Sequence, residues 1–413
     1  MKPKTAYNLF RIVVAGIFLL VIPLFIIQYG WWNSITRLYV VCASLFLLYR
    51  FTAWFFSELS PLRVYPPLHE PYSIIIPVKD EDPELLLRVV HMAVAQKGRK
   101  EVIIGDDGSK VPVSEILKER PDLYERVIVY RSSQNLGKKH LQSVLFRRAK
   151  NDLLINIDSD ILLDDPHAVQ RLIAPLRNRK VGITNGNVEI ISPKRSLLTR
   201  IQSIMYYGAN QVGRKSWGTL GLNPCASGEI LAIRKSQFMP FLNEYLYRTF
   251  SGIRLTFGED RLMTNLLLRA GYKSVYVETA KAATPGCETF PKYIKQQTRW
   301  RRSGIHESIF FLGFSRNAYL ITLISLTMIL PLVFTILLTT TITYYIMIGA
   351  YFYFIPLFGI LVFVNLLADI PMLFEKINRF PDLILFSLFN VFILSPLWIY
   401  ALFTLDRTGW GTR

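Results

Sequence analysis

Long stretches that are apolar at nearly every position bracket a central region of short apolar runs separated by charged segments. The first run, Ile12 to Trp32, is long enough for a bilayer crossing, which takes about 20 residues. A second, Leu38 to Phe56, follows at once. No small-residue cleavage site separates them, so the pair reads as two anchors rather than a cleaved signal. Lys2, Lys4 and Arg11 precede the first run and hold the N-terminus in the cytoplasm by the positive-inside rule. Arg50 sits near the cytosolic end of the second run, where snorkelling accommodates its charge; facing a polar channel is the alternative. After Gly304 the chain turns apolar again. Ala318 to Leu367 carries no formal charge and predicts two crossings with a turn near Thr339–Thr341. Leu383 to Leu405, containing Pro396, is a further apolar block, with Lys376 and Arg379 before it.

From about Pro61 to Arg302 the pattern is that of an α/β domain. Ser73-Ile74-Ile75-Ile76-Pro77, Val102-Ile103-Ile104-Gly105, Val127-Ile128-Val129-Tyr130 and Leu153-Leu154-Ile155-Asn156-Ile157 read as short buried strands. Their alternation with helical stretches predicts a mostly parallel sheet. Ligands of such sheets bind at the carboxyl ends of the strands, where the Asp-rich turns of this chain fall. The expected organisation is 1–60 as two membrane helices, 61–290 as a cytosolic domain, 291–316 as interfacial helices, 317–405 as C-terminal membrane helices and 406–413 as a terminal loop.

Composition sharpens this picture. The 413 residues are 51% hydrophobic, with a mean hydropathy of +0.29, too apolar for an ordinary soluble enzyme. The net charge is +18. Its basic residues form no dense tract, so no nucleic-acid partner is expected; positive-inside topology, anionic membrane lipid or an anionic substrate or product account for the charge. Cys42, Cys225 and Cys287 are far apart and odd in number, and the five histidines form no metal-ligand pair, so neither a disulfide framework nor a zinc site follows.

Asp158-Ser159-Asp160 follows a buried strand. Carboxylates two apart on such a turn both approach one hard cation, with Mg²⁺ or Mn²⁺ shared between them and substrate phosphates as the usual arrangement; a solvated turn is the plainer alternative. Asp106-Asp107-Gly108-Ser109 is a hairpin or loop turn in its plainer reading; the functional reading places Asp107 on the uridine or ribose of a nucleotide, with Asp80 after the first strand helping to grip the base. In Gly137-Lys138-Lys139 a lysine, Lys139 before Lys138, either meets phosphate oxygens as a point charge or is a plain surface lysine. In Gly258-Glu259-Asp260-Arg261, at the start of a helical stretch, the acidic pair either favours the helix N-terminus or supplies a general base for a sugar hydroxyl. Tyr293 to Arg302 is a basic amphipathic stretch, an interfacial helix in its plainer reading. It contains Gln296-Gln297-Thr298-Arg299-Trp300, where Arg299 can clamp a pyrophosphate and Trp300 offers a face for a sugar ring.

In this order, and with Trp410-Gly411-Thr412-Arg413 at the end, these motifs resemble those of membrane-embedded, processive family-2 glycosyltransferases, in the branch of hyaluronan synthases and the type 3 capsular polysaccharide synthase. The resemblance covers nearly the whole chain. It implies a GT-A-like nucleotide-sugar-binding α/β domain between transmembrane helices in the plasma membrane, with the catalytic domain cytosolic. It also implies Asp260 as the base, Asp160 as metal ligand with Asp158 near the nucleotide, Arg299 and Gln296 at the diphosphate motif, and Trp300 at the acceptor. Trp410 and Arg413 would close over the donor. Ser227 and Gly228 would line the acceptor loop, where Glu229 replaces the proline of hyaluronan synthases. The implied activity is inverting β-transfer from UDP-sugars, UDP-glucuronate with UDP-glucose or UDP-N-acetylglucosamine, onto a growing polysaccharide that the protein exports. A single-donor chitin- or cellulose-type synthase and a non-processive transferase acting on a lipid carrier are the alternatives.

Overall fold

The computed structural model describes chiefly residues 65–250, 252–314, 330–368 and 377–407, with scattered positions between 38 and 55 and at 372. The expected N-terminal spans, Arg50, and the terminal Trp410 and Arg413 lie largely or wholly outside the described residues. The chain separates into two compact units: residues 65–248 with 255–290, and the short hairpin 249–254 with the helices that follow 291.

The first unit is built on an eight-stranded sheet in the order β3-β2-β1-β4-β7-β6-β10-β5. Its strands are β1 (Tyr72–Val78), β2 (Lys100–Asp106), β3 (Ile128–Arg131), β4 (Leu153–Ile157), β5 (Leu162–Leu163), β6 (Val181–Ile190), β7 (Ile230–Arg234) and β10 (Lys273–Thr284). A separate hairpin, β8 (Thr249–Phe250) and β9 (Ile253–Arg254), belongs to the second unit. β1, β4 and β7 are buried at every position, as strands covered on both faces require. The four strands legible in the sequence pair in parallel, β3 to β2, β2 to β1 and β1 to β4. β7 breaks the pattern: it runs antiparallel to both β4 and β6.

Two registers set the geometry of the strand ends. Val78 of β1 lies level with Asp106 of β2, so the turns after these strands face each other. Ile157, the last residue of β4, pairs with Ile230, the first of β7. The residues leaving β4 therefore sit directly beside those entering β7. The ladder continues one step beyond the strands, where the Asp158 amide donates to the Glu229 carbonyl at 3.1 Å.

The second unit is helical. A 25-residue helix runs from Phe290 to Phe314, followed by Leu330–Met347, Phe354–Ala368 and the composite Phe380–Phe403. The last, 24 residues at mean hydropathy 2.0, is the one helix among the described residues long and apolar enough to cross a membrane by length and composition. The turn expected at Thr339–Thr341 is not there. The threonine hydroxyls of Thr339, Thr340 and Thr341 bond back to the carbonyls four residues earlier at 2.8–2.9 Å, which leaves the helix intact. The chain turns instead at Gly349, whose φ of +69° suits glycine. A wide π turn, Asn390–Leu394, precedes Pro396, consistent with the proline's missing donor.

Arg301 and Arg302 of the long helix both contact the last helix. The Arg301 guanidinium stacks 5.4 Å from the Trp398 ring centroid, and Arg302 donates twice to the Thr404 hydroxyl, at 3.0 and 2.7 Å.

Candidate active site

The site forms where the carboxyl ends of β1, β2 and β4 meet the entry to β7. The Asp107 carboxylate is buried and accepts from the Leu136 and Gly137 amides at 2.7 and 2.9 Å, fixing the loop that leads into the helix Lys138–Arg148. Burial pushes its pKa up, against those two amides. Asp80, in the left-handed region at φ +48°, accepts from the Lys110 amide at 2.7 Å, and its amide donates to the Ser109 hydroxyl at 3.0 Å. That backbone bond, foremost, lowers its pKa. Asp80 and Asp107 thus sit in facing turns, with Lys79 donating across them to the Gly108 carbonyl at 2.6 Å.

Of the two neighbouring lysines, Lys138 and not Lys139 reaches the carboxylates. Its ammonium lies 2.7 Å from Asp158 and 2.8 Å from Glu259. Burial opposes its charge, yet the two carboxylates raise its pKa above the ordinary lysine value. Lys139 is buried, donates to the Leu255 carbonyl at 3.3 Å and lies 5.2 Å from the Tyr245 ring centroid. Successive helical residues point about 100° apart, so only one of the pair can face the turn after β4.

Asp158 and Asp160 are half-buried, with Ser159 inward and donating to Glu81 at 2.5 Å. Among the described residues no three His, Cys, Asp or Glu side chains converge as a ready-made metal cage. Two half-exposed carboxylates on one turn fit a hard cation that takes one or two protein oxygens and completes its shell from phosphates and water.

Asp260 opens the helix Glu259–Arg269. Its Oδ2 accepts from the Gly228 amide at 3.1 Å and lies 3.9 Å from the Cys225 sulfur; its Oδ1 accepts from the Arg261 amide at 2.8 Å. Burial, then the neighbouring Glu259 charge, raises its pKa above that of an ordinary aspartate. A Cβ on Gly228 would stand 3.2 Å from the Asp260 Cβ, so the close approach depends on glycine. The Ala226 amide donates to Thr264 at 3.1 Å and ties the same loop to the next helical turn.

Ser227 is buried and donates to Glu229 at 2.5 Å; the Tyr206 hydroxyl donates to the other Glu229 oxygen at 2.6 Å. Arg214 donates to the Cys225 carbonyl at 3.3 Å and to Asn210 at 2.6 Å. Burial opposes its charge, while Cys225, Glu229 and Asp260 raise its pKa. Tyr206 and Arg214 carry no motif that a sequence displays. Glu229 was visible only as a departure from a proline.

Gln296, Arg299 and Trp300 lie in the second unit on the helix Phe290–Phe314. Their spacing of three and four residues puts them on one helical face.

Residues 73–236 match the model of glycosyl transferase family 2. The hyaluronan synthase of Streptococcus pyogenes is 29% identical over 412 residues, covering 97% of this chain and 96% of that one. An N-acetylglucosaminyltransferase of Azorhizobium caulinodans is 32% identical over 359 residues, 84% of this chain and 88% of its own. Among solved structures, a Pyrobaculum calidifontis mannosyltransferase in complex with GDP-Man and Mn²⁺ superposes with a TM-score of 0.63 over 87% of this chain and 97% of its own. At 15% identity, that match speaks to the fold, which is GT-A-like. With 84% of its length aligned at 32% identity to such a transferase and residues 73–236 matching the family model, the chain is a member of glycosyltransferase family 2.

Proposed function

We propose that the protein is a processive, inverting β-glycosyltransferase that polymerises UDP-sugars at the inner face of a membrane and passes the polysaccharide outward. The observation that carries the reading is the bridge Ser227-Gly228-Glu229. One end accepts from the Asp158 amide and the middle donates to Asp260. The turn proposed for the diphosphate and a buried carboxylate are thus tied to one backbone segment, which suits direct displacement at an anomeric carbon between them.

Asp260 is the general base in this scheme. Held by the Gly228 and Arg261 amides, it takes the proton from the acceptor hydroxyl as the oxygen attacks the anomeric carbon from the face opposite the leaving nucleotide. A single displacement inverts an α-linked donor to a β-product, and a placed carboxylate contributes about 10²–10⁴-fold. Asp158 and Asp160 would hold Mg²⁺ or Mn²⁺, which neutralises charge developing on the departing diphosphate. Asp107 and Asp80 orient the nucleoside, Arg299 meets the diphosphate and Trp300 stacks the acceptor end. Trp410 and Arg413, beyond the described residues, close over the donor. The flanking apolar segments form the export path.

Similarity over nearly the full length to a hyaluronan synthase supports the two-donor reading, UDP-glucuronate with UDP-N-acetylglucosamine; UDP-glucose in place of the latter rests on the sequence resemblance alone. The 32% identity to an N-acetylglucosaminyltransferase favours a second reading, polymerisation of a single amino sugar. Incubating purified protein with Mn²⁺ and labelled UDP-sugars, singly and in pairs, separates the two. High-molecular-weight product only from a pair supports the first; product from UDP-N-acetylglucosamine alone supports the second. A single transferred residue on a lipid carrier overturns both.

A further inference from the structure

Both carboxylate oxygens of Asp158 face the ammonium of Lys138, at 2.7 and 3.0 Å, and the same ammonium contacts Glu259 at 2.8 Å. A lysine thus stands at one of the two carboxylates that would hold the divalent ion. We propose that Lys138 is a placeholder that keeps Asp158 closed to a bare divalent cation. It releases Asp158 when a nucleoside diphosphate offers its phosphate oxygens, so that cation and nucleotide bind as a coupled pair. The proposal rests on the nucleotide-sugar reading of this site and adds the order in which its charges exchange.

The two anchors of the ammonium are unequal. The Glu259 side chain is 8% exposed and that of Asp158 25%. Separating a buried ion pair costs more than separating one that water can reach, so the Asp158 link gives way first and Lys138 pivots on Glu259. The ammonium has three donors and no acceptor. One stays on Glu259 and the others pass from carboxylate to phosphate. Without phosphate, a cation at Asp158 lies beside an ammonium left with Glu259 as its carboxylate partner, and repulsion across a few ångströms in a partly desolvated site opposes its binding. With a diphosphate present, both positive charges gain negative partners. Lys138 is therefore a positioning residue for the cation.

The test is binding of Mn²⁺ to the detergent-purified full chain, read from the free-ion electron paramagnetic resonance signal with and without UDP. Wild type should bind Mn²⁺ weakly alone and about tenfold or more tightly with UDP. Lys138→Met should bind bare Mn²⁺ about tenfold more tightly than wild type and lose most of the UDP effect. Lys138→Arg, which keeps the charge and carries the test if the methionine variant does not fold, should match wild type for bare Mn²⁺. Equal bare-Mn²⁺ affinity in wild type and Lys138→Met, or a gain in Lys138→Arg, overturns the placeholder while leaving the donor site standing if UDP still tightens Mn²⁺. A wild type in which UDP leaves Mn²⁺ binding unchanged overturns both the placeholder and the donor site.

Discussion

The backbone amide of Gly228 donates to Oδ2 of Asp260 at 3.1 Å, 32 residues away along the chain. The Ala226 amide, donating to Thr264, holds the Gly228 loop against the helix Glu259–Arg269, while antiparallel β7, beginning where β4 ends, sets it beside the turn after β4. Replacing the carboxylate alone tests the proposed base. Asp260→Asn preserves size and the amide contact but cannot take a proton. We expect turnover to fall by about 10²–10⁴-fold with UDP affinity unchanged. A rate near wild type removes Asp260 from the mechanism.

Gly228→Ala tests the positioning rather than the chemistry. The added Cβ meets the Asp260 Cβ at 3.2 Å and its carboxyl group at 3.6 Å. That is tight enough to push the base by a few tenths of an ångström. A turnover loss of about tenfold with unchanged UDP binding is expected, measured by initial rates and equilibrium titration. Parallel losses in both quantities would assign Gly228 to folding instead.

The pH profile follows from burial. Asp260 is held above the ordinary aspartate range by desolvation first and by the Glu259 charge second. A base works only when deprotonated. Activity is therefore present above the raised pKa and lost as pH falls through it, so the acidic limb of kcat/KM lies above that of a solvent-exposed aspartate. Glu259→Gln removes the like charge and should move that limb to lower pH. A limb that stays in place points to another titrating group.

Away from the site, Arg234 organises the opposite end of β7. Its side chain is 1% exposed and bonds Glu70 at 2.7 Å, Asp152 at 3.1 Å and the Leu176 carbonyl at 3.1 Å. Arg234→Met leaves the Leu176 carbonyl and the two carboxylates without this donor. We expect a loss of about 2 kcal/mol, or roughly 5 °C in the thermal midpoint. The Arg234 bond chiefly lowers the Glu70 pKa. The corresponding stability is therefore present above the unfolded pKa of Glu70 and lost as pH falls through the depressed folded value. The variant's midpoint should vary less with pH across that acidic window.

The sequence displayed what period and turn chemistry encode. The strands at Ser73, Val102 and Leu153 were legible because parallel, doubly covered strands are continuous apolar runs, and the Asp-rich turns follow the last two and Asp80 the first; the run at Val127 was legible too, although β3 is a half-exposed edge strand. The reversal at β7 was not legible, since Ile230–Arg234 is an apolar run of the same kind whichever way it points. That reversal sets Ser227-Gly228-Glu229 beside Asp158-Ser159-Asp160. That Lys138 meets Asp158 and Glu259 depended on helix phase, which two adjacent lysines do not reveal. Thr339–Thr341 misled as a turn because hydroxyls that favour turns in water also satisfy themselves on a helix.

Gln296, Arg299 and Trp300 share a face of the helix Phe290–Phe314, and the proposed division of labour makes their losses different in kind. Arg299→Ala removes a diphosphate partner, so KM for the donor should rise and UDP should bind more weakly. Trp300→Ala removes a stacking surface for the acceptor. UDP affinity should hold, the product should shorten, and more UDP should be released per residue retained in polymer as chains dissociate early. Size-exclusion chromatography of labelled product alongside a UDP-release assay measures both. If Trp300→Ala slows synthesis while the product keeps its length, Trp300 does not hold the acceptor, and processivity must arise elsewhere in the chain.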